Sequence, residues 1–286
     1  MRTAYRFAII GHPVKHSLSP LMHEASFRAL GIEAEYRCID VPPDTLGDRL
    51  AACRAEGFNG LNVTVPLKEL ALPLMDHLDA SARLYGAVNT IRLDARGMTG
   101  FNTDAEGFLT DLKLGYRLSP LSRTVLILGC GGAGRALATA CVREGASDVL
   151  LADLDASRVN RLAEEIARLL PDAAARVRPL PADPAAWREP SLSADLVVHC
   201  TPLGLHEDDP PALPPDAFRP GQFLYDIVYT SRVTPTMRAA QAAGADTANG
   251  TGMLVRQGAA AFTVWTGLTA DVAAMHAALE SRLYGT

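Results

Sequence analysis

A glycine-rich turn between an apolar run and a small-residue run is the feature that most constrains this chain. Thr124–Leu128 is β-branched and aliphatic, and Gly129-Cys130-Gly131-Gly132-Ala133-Gly134 follows it directly, ahead of a small-residue run typical of a helix. This is G-x-G-x-x-G between a strand and a helix, the context in which the motif binds a dinucleotide. Gly129 permits the tight turn, Gly131 admits a pyrophosphate to the backbone, and Gly134 allows close helix packing. The helix N-terminus favours phosphate charge.

The next predicted strand carries the residues that would choose the cofactor. Asp148–Ala152 is followed by Asp153-Leu154-Asp155. A carboxylate at Asp153 would accept hydrogen bonds from a ribose and repel the 2′-phosphate of NADP, so the pattern favours NAD over NADP. Arg158 lies close enough in sequence to reach a phosphate instead. Alternatively, Asp153 and Asp155 only end the strand and cap a helix that begins near Ala156.

Length, charge and cysteine usage narrow the class of protein. The 286 residues fit one large or two modest domains, and the net charge of −5 argues against nucleic-acid or anionic-membrane partners. No apolar run reaches membrane-spanning length, and Met1–Ile10 lacks the pattern of a cleaved signal peptide. Five scattered cysteines have no metal-ligand spacing. We therefore expect a cytoplasmic protein without a metal, either a monomer or a homodimer.

Alternating strands and helices predict an α/β chain in two lobes. Residues 1–103 form the predicted substrate domain, and residues 104–250 form a Rossmann-like dinucleotide-binding domain. The predicted closing helices within residues 251–286 have no sheet partner of their own, so we expect them to complete the first domain.

Two segments of the first domain have the composition of a site. Strands Tyr5–Ile10, Glu35–Val41 and Phe58–Val65 alternate with helices, which predicts parallel pairing. Lys68 follows the third strand, at the edge where ligands of α/β sheets bind. The chain has only three lysines against 24 arginines, and lysine is the one of the two that can lose its proton. Lys68 is therefore a candidate for chemistry.

A helix start near the N-terminus is the second such segment. Ser19-Pro20 predicts a helix capped by Ser19, with the proline in its first turn. The hydroxyls of Ser17 and Ser19, with the free N–H groups of the helix, would suit a carboxylate. Further along, Thr103 or Asp104 is a candidate cap for a helix that follows.

Taken together, these segments resemble the shikimate dehydrogenase family over almost the whole chain. The resembling segments are Ser17–Pro20, Asn62–Lys68, Gly86–Thr90, Asn102–Asp104, Gly129–Ala133 and Gly250–Gln257. The resemblance implies the reversible reduction of 3-dehydroshikimate to shikimate, a step toward aromatic amino acids, with a nicotinamide cofactor. It implies that Lys68 and Asp104 are the catalytic pair.

The resemblance also implies roles for residues that the local pattern does not single out. It places the substrate carboxylate on Ser17 and Ser19. It places the ring hydroxyls on Thr64, Asn89, Asp104, Tyr229 and Gln257, and the cofactor along Thr201, Ile227 and Gly250.

One segment departs from the commonest pattern of the family. Members that use NADP typically carry Asn-Arg-Thr where this chain has Asp153-Leu154-Asp155. In this respect the chain is similar to relatives that oxidise quinate or shikimate with NAD, whereas the Ser17 and Ser19 pair leans toward shikimate. A dehydrogenase of a related cyclic acid, such as an amino-shikimate, and a non-catalytic regulator on the same fold remain alternatives.

Overall fold

Two sheets, each with its own helices, organise the chain. The computed structural model describes residues 5–206 and 208–285, so the first four residues of the predicted first domain, Glu207 and Thr286 lie outside this account. Contacts divide the chain into one unit of Met1–Phe108 with Leu254–Thr286 and a second unit of Leu109–Met253. The sequence placed these divisions at 103/104 and 250/251. The observed divisions fall a few residues later, inside two helices.

Strands and helices alternate along most of the chain. The strands are β1 (Tyr5–Gly11), β2 (Ala34–Asp40), β3 (Gly60–Val63), β4 (His77–Leu78), β5 (Thr90–Asp94), β6 (Gly97–Phe101), β7 (Thr124–Leu128), β8 (Asp148–Ala152), β9 (Val177–Pro179), β10 (Leu196–His199), β11 (Phe223–Asp226) and β12 (Asp246–Ala248). The helices are α1 (Ser19–Ala29), α2 (Leu46–Ala55), α3 (Ala80–Tyr85), α4 (Asp104–Tyr116), α5 (Gly132–Arg143), α6 (Ala156–Leu169), α7 (Arg188–Ser193), α8 (Pro235–Ala242), α9 (Thr251–Thr266) and α10 (Val272–Tyr284).

The first unit contains a mixed sheet with strand order β2-β1-β3-β5-β6-β4. β1 pairs in parallel with both β2 and β3, which confirms the pairing predicted from the strand–helix–strand pattern. β5 runs antiparallel to β3 and to β6. This strand begins at Thr90, and just before it the N–H of Val88 bonds to the carbonyl of Lys68 beyond the end of β3.

Apolar residues cover both faces of this sheet. One face packs under α2, and the other packs under α1, α9 and α10. On the second face the rings of Phe7 and Phe27 stack 5.2 Å apart, and the Trp265 ring of α9 lies 4.8 Å from Phe7. The Trp265 indole N–H donates to the carbonyl of Ile91 at 2.9 Å. The closing helices α9 and α10 therefore pack on the sheet of the first unit.

Gly60 makes room for that indole. A Cβ on Gly60 would lie 2.3 Å from the Trp265 ring, well inside van der Waals contact. The glycine is thus required by close packing between β3 and α9 rather than by backbone conformation.

The second unit is a parallel sheet with strand order β12-β11-β10-β7-β8-β9. From β7 the chain adds β8 and β9 on one side, and it then returns to add β10, β11 and β12 on the other side. The carboxyl ends of the neighbouring strands β7 and β10 are therefore the topological switch point of the sheet. Residues 171–190 supply β9 and the start of α7. β9 has three residues and ends in Pro179, so it carries no periodic pattern to detect.

Within residues 5–206 and 208–285, every helix is too short or too polar to cross a membrane.

Candidate active site and dinucleotide site

Lys68 and Asp104 form a close ion pair in the first unit. Lys68 follows the end of β3, and Asp104 is the first residue of α4. The Lys68 Nζ lies 2.7 Å from Oδ2 of Asp104, and the two side chains are 18% and 8% exposed. A charge-assisted hydrogen bond of this length in a largely desolvated place fixes both side chains. The two residues that the sequence singled out separately thus form one unit.

Asn89, just before β5, holds the other oxygen of the same carboxylate. Its Nδ2 donates to Oδ1 of Asp104 at 2.9 Å and to the Thr103 hydroxyl at 2.9 Å. Its Oδ1 accepts the N–H of Thr103 at 2.8 Å. Because both ends of the amide are engaged, the side-chain orientation is fixed. The N–H of Asp104, the first residue of α4, bonds to Oδ1 of Asn102 at 3.1 Å.

Gln257, on α9, reaches the same group. Its Oε1 lies 3.4 Å from the Asn89 Nδ2, and its own Nε2 donates to the carbonyl of Leu254 at 2.8 Å. Residues 168 positions apart are thereby brought together by the closing helix. The structure therefore gathers Lys68, Asn89, Asp104 and Gln257 into one polar cluster.

The serine segment differs from the sequence prediction in its cap. Helix α1 begins at Ser19, its cap position is Leu18, and no side chain caps it. The Ser17 hydroxyl instead accepts the N–H of Ser19 at 3.2 Å. Ser19 as N-cap is therefore wrong, because the serine two residues earlier takes one of the first free N–H groups. Both serines remain at the start of the helix.

Tyr36, His23 and Asn62 extend the polar interior of the first unit, and the sequence reasoning assigned none of them a site role. The Tyr36 hydroxyl donates to Oδ1 of Asn62 at 2.6 Å, and the Asn62 Nδ2 donates to the carbonyl of Asn89 at 3.2 Å. Burial raises the pKa of the Tyr36 phenol well above its usual value, and a hydrogen bond with Ser19 opposes that rise. For Tyr36 on β2 and Asn62 on β3, a polar residue inside a strand was the available signal.

Thr64 lies at the carboxyl end of β3, as predicted. Its N–H donates to the carbonyl of Ile10 at 2.9 Å. A Cβ on Gly11 would lie 2.4 Å from the Thr64 methyl group, so that glycine makes room for the threonine.

In the second unit, the glycine turn has the geometry its motif requires. Gly129 has φ of +95°, a conformation that favours glycine. A Cβ on Gly134 would lie 1.8 Å from the Gly129 carbonyl oxygen, so α5 packs closely on the turn. By contrast, a Cβ on Gly131 or Gly132 would meet nothing within 4 Å. This open space at the N-terminus of α5 fits a pyrophosphate group.

Asp153 and Asp155 make different contacts. Oδ2 of Asp153 accepts the N–H of Cys130 in the glycine turn at 2.8 Å. Asp155 caps α6 through the N–H of Ser157 at 2.9 Å, which confirms the capping alternative for this residue. Hydrogen bonds from Ser157 are the largest cause of the lowered pKa of the Asp155 carboxyl. Arg158 lies 3.5 Å from Asp155, so its charge is already paired.

The remaining predicted cofactor residues lie on the carboxyl ends of the neighbouring strands. Thr201 follows β10, and its hydroxyl accepts the N–H of Leu203 at 3.2 Å. Ile227 follows β11, and a Cβ on Gly250 would lie 2.0 Å from its carbonyl oxygen. Tyr229 lies two residues beyond Ile227, and burial raises the pKa of its phenol.

Comparison with known proteins identifies the family. A curated relative from Moorella thermoacetica, named shikimate dehydrogenase (NADP(+)), is 43% identical over 280 residues, covering 96% of this chain and 92% of the relative. This chain belongs to the shikimate dehydrogenase family. A family model described as the shikimate dehydrogenase substrate binding domain matches residues 9–91, and another described as the shikimate 5′-dehydrogenase C-terminal domain matches residues 250–280.

Solved structures of the shikimate dehydrogenase family and its neighbours have the same fold. Shikimate 5-dehydrogenase from Thermus thermophilus, in complex with NADP(H) and shikimate, matches with a TM-score of 0.86 and 39% identity over 98% of this chain and 100% of that chain. Quinate dehydrogenase from Corynebacterium glutamicum, in complex with NAD, matches with a TM-score of 0.89 and 34% identity over 97% and 99%. The predicted α/β architecture with a Rossmann-like domain is confirmed.

In this member of the shikimate dehydrogenase family, an apolar side chain is exposed at the predicted cofactor selector. Leu154, between the two aspartates, is 71% exposed. Among the described residues, no group of three or more histidines, cysteines and acidic residues is placed to hold a metal ion. Burial raises the pKa of the Cys130 thiol in the glycine turn to about 12, so this cysteine is a packing group rather than a nucleophile.

Proposed function

We propose that this protein is a shikimate dehydrogenase that catalyses reversible hydride transfer between shikimate and a nicotinamide dinucleotide. The observation that carries the proposal is the buried Lys68–Asp104 pair, with Nζ and Oδ2 2.7 Å apart, in a chain that belongs to this family. A lysine and a carboxylate held together can take and return the proton of a secondary alcohol. The pair acts as one hydrogen-bonded unit, so we assign no separate proton state to either residue.

Each residue of the cluster has a part in that reaction. When bound, the dinucleotide supplies the hydride acceptor at its nicotinamide ring. The Lys68–Asp104 pair takes up the proton of the substrate hydroxyl, and Asp104 orients the Lys68 Nζ toward that hydroxyl. Asn89 orients Asp104, and Gln257 lies within reach of the same ring hydroxyls. We propose that Thr64 and Tyr229 complete the hydroxyl contacts.

The serine segment supplies the substrate carboxylate site in this proposal. Ser17 and Ser19 lie at the start of α1, where the Ser17 hydroxyl accepts the N–H of Ser19 and the cap position, Leu18, contributes no side-chain hydrogen bond. A helix N-terminus of this kind attracts a carboxylate, and two hydroxyls add donors of fixed position.

We further propose that the dinucleotide is held by the second unit. Gly129–Gly134 would hold the pyrophosphate in the open space beside Gly131 and Gly132. Thr201, Ile227 and Gly250 would line the nicotinamide half, because they lie at the carboxyl ends of β10 and β11 and in the segment after β12.

NAD is the preferred cofactor in this proposal. Asp153 presents a carboxylate at the end of β8, where an adenosine ribose binds in this fold. A 2′-phosphate would meet Asp153 and Asp155, and Arg158 already faces Asp155 at 3.5 Å. The Corynebacterium quinate dehydrogenase was solved with NAD, whereas the Moorella relative is named NADP(+)-dependent. The charge at residues 153–155 therefore carries this part of the proposal.

A four-way rate measurement tests the reaction and the cofactor together. Purified protein is mixed with shikimate or quinate and with NAD or NADP, and reduced nicotinamide is followed by its absorbance. We expect the highest kcat/KM with shikimate and NAD. Turnover of shikimate with NADP at a higher kcat/KM would refute the cofactor choice alone. No turnover of either acid with either cofactor would refute the reaction.

A catabolic quinate/shikimate dehydrogenase is the second candidate. The observation that favours it is the pair of carboxylates at Asp153 and Asp155, since NAD serves oxidation in the cell. A higher kcat/KM for quinate than for shikimate in the same measurement would select this candidate. In either case we propose a cytoplasmic monomer or homodimer, and light scattering on the purified chain distinguishes these two states.

A further inference from the structure

A buried aspartate and histidine lie in line with a threonine in the second unit. His199 ends β10 and Asp226 ends β11, and the two are paired neighbours in the sheet register. Both side chains are fully buried, and Nδ1 of His199 lies 3.1 Å from Oδ1 of Asp226. On the other side of the ring, Nε2 lies 2.5 Å from the Thr201 hydroxyl oxygen. The proposed reaction gives no role to either His199 or Asp226.

The surroundings of Asp226 define it as an acceptor. Its Oδ1 accepts the N–H of Val228 at 3.0 Å, and its Oδ2 accepts the hydroxyl of Thr234 at 2.6 Å. The Thr234 hydroxyl in turn accepts the N–H of Met237 at 3.2 Å, so its own proton points at the carboxylate. An acceptor beside Nδ1 of His199 favours the tautomer with its proton on Nδ1. The contact is poorly aligned as a hydrogen bond, so its effect on the proton is electrostatic.

That tautomer determines what Thr201 can offer a ligand. With its proton on Nδ1, His199 has a free lone pair at Nε2 and accepts the proton of the Thr201 hydroxyl. The same hydroxyl oxygen also accepts the N–H of Leu203 at 3.2 Å. A threonine hydroxyl has one proton and two lone pairs. One lone pair therefore remains, and Thr201 can present only an acceptor.

The position of Thr201 identifies the ligand group it faces. β10 and β7 are neighbours across the switch point of the sheet, and a Cβ on Gly129 would lie 3.0 Å from the Thr201 methyl group. Asp153 lies on the opposite side of the glycine turn, at the end of β8. With the adenosine ribose at β8 and the pyrophosphate at the turn, the nicotinamide half of the dinucleotide falls on the β10 side.

We propose that Asp226 and His199 are positioning residues that fix the Thr201 hydroxyl as a hydrogen-bond acceptor for the nicotinamide half of the dinucleotide. The group bound is a hydrogen-bond donor, either the carboxamide N–H or a ribose hydroxyl. The inference rests on the proposed function, because it assumes that the second unit binds a nicotinamide dinucleotide.

Binding of NADH to the whole protein, without shikimate, tests the proposal. The dissociation constant is measured by the change in NADH fluorescence for the wild type, T201V and T201S. Valine has the shape of threonine without its hydroxyl, so packing is kept. We expect T201V to raise Kd about 5- to 10-fold, the effect of one neutral hydrogen bond, and T201S to stay within about 2-fold of wild type.

A double-mutant cycle tests whether His199 acts through Thr201. H199L removes the acceptor at Nε2, whereas H199Q keeps a side-chain acceptor near that position. We expect H199L to raise Kd by a factor close to that of T201V, H199Q to restore most of the affinity, and H199L/T201V to bind no more weakly than T201V. Additive losses in the double variant, or wild-type affinity in T201V, would overturn the proposal. Circular dichroism shows whether each variant is folded. If H199L does not fold, the NADH affinity of T201V alone tests the proposal.

An NADH analogue identifies the donor group. The reduced 3-acetylpyridine dinucleotide has a methyl ketone in place of the carboxamide and so lacks its N–H. If T201V weakens binding of NADH but not of this analogue, the donor is the carboxamide N–H. If T201V weakens binding of both, the donor is a ribose hydroxyl. Either result supports an acceptor at Thr201. Wild-type protein that binds neither NADH nor NADPH would refute the proposed function, whereas NADH binding unaffected by T201V would refute only this inference.

Discussion

Asn89 donates a hydrogen bond of 2.9 Å to the Asp104 carboxylate, on the oxygen that Lys68 does not use. The lysine takes the other oxygen at 2.7 Å, so each carboxylate oxygen has its own donor. Asn89 and Asp104 are 2% and 5% exposed, which keeps water from competing for these contacts. The direction of the Lys68 side chain is therefore set, through Asp104, by a residue that lies just before β5.

Replacing Lys68 by methionine keeps its length and removes its charge and its protons. We expect kcat for shikimate oxidation to fall about 10²- to 10⁴-fold, the usual contribution of a positioned acid or base. Initial rates at saturating shikimate and cofactor measure this change. Lys113→Met on the exposed side of α4 is the matched control and should retain the wild-type rate. A K68M protein that is folded and turns over at the wild-type rate would contradict the proposed role.

Alanine at two glycines of the same turn should have different effects. In Gly134→Ala the new methyl group would lie 1.8 Å from the Gly129 carbonyl oxygen, so we expect a lower free energy of unfolding, by about 1–3 kcal/mol. In Gly131→Ala the methyl group meets no protein atom within 4 Å, so we expect near wild-type stability but weaker dinucleotide binding. Denaturant unfolding and NADH titration on both variants measure the two effects. Equal NADH affinity in Gly131→Ala and wild type would place the pyrophosphate elsewhere.

A change of charge at residues 153 and 154 should move the cofactor preference. The double variant Asp153→Asn/Leu154→Arg removes one carboxylate and adds a guanidinium at an exposed position. A charge-assisted hydrogen bond to a phosphate contributes about 1.5–3 kcal/mol, so we expect the NADP/NAD ratio of kcat/KM to rise at least about 10-fold. Leu154→Glu is the opposite control and should lower that ratio. An unchanged ratio in both variants would show that this surface does not select the cofactor.

His23 should make the folded state sensitive to acid. Burial, opposed only weakly by Asn62, lowers the pKa of this imidazole from 6.5 to about 3, and neither ring nitrogen has a well-aligned hydrogen-bond partner. The unfolded chain therefore binds a proton that the folded chain does not, between about pH 6.5 and pH 3. The part of the unfolding free energy that depends on neutral His23 is fully present above pH 6.5. It falls as the pH drops toward 3, and the loss is about 2 kcal/mol at pH 5.

Replacing His23 by phenylalanine should remove this part of the acid dependence. The ring of His23 stacks on Tyr36 at 4.8 Å, and an aromatic replacement keeps that stacking. Urea unfolding at pH 7.5 and pH 5 gives the change in unfolding free energy for each protein. We expect the loss of unfolding free energy between pH 7.5 and pH 5 to be about 2 kcal/mol smaller in H23F than in wild type. The exposed control His77→Gln should show the same loss as wild type. The same change in H23F as in wild type would show that another group controls acid stability.

Features with a local pattern were predictable from the sequence. The glycine turn and the parallel pairing of β1 with β2 and β3 follow from runs of adjacent residues, and the structure has both. The cap of α1 was wrong because two serines lie two positions apart, and the local pattern does not determine which of them takes the free N–H. For Asp155 the local pattern left two alternatives open, cofactor binding and helix capping, and in the structure its side chain caps α6.

Contacts between distant residues were not predictable from the pattern. The Tyr36–Asn62 hydrogen bond joins two strands, and the Asn89–Gln257 contact spans most of the chain. Gln257 entered the prediction only through the resemblance to the family, and Tyr36 was not assigned a role at all. Contacts of this kind are determined by tertiary packing, and a single sequence has no periodic pattern that indicates them.

The anchoring of Trp265 against Ile91 has a consequence for how the chain is made. During synthesis from the N-terminus, the strand β1 and the helix α1 emerge long before α9 and α10, the helices that cover Phe7 and Phe27. The second unit is continuous in sequence, so all of its strands have emerged before that cover exists. On the ribosome the sheet of the second unit can therefore fold before the sheet of the first unit is covered, although it is encoded later. Until α9 and α10 emerge, the aromatic face of the first sheet is exposed to solvent and to chaperones.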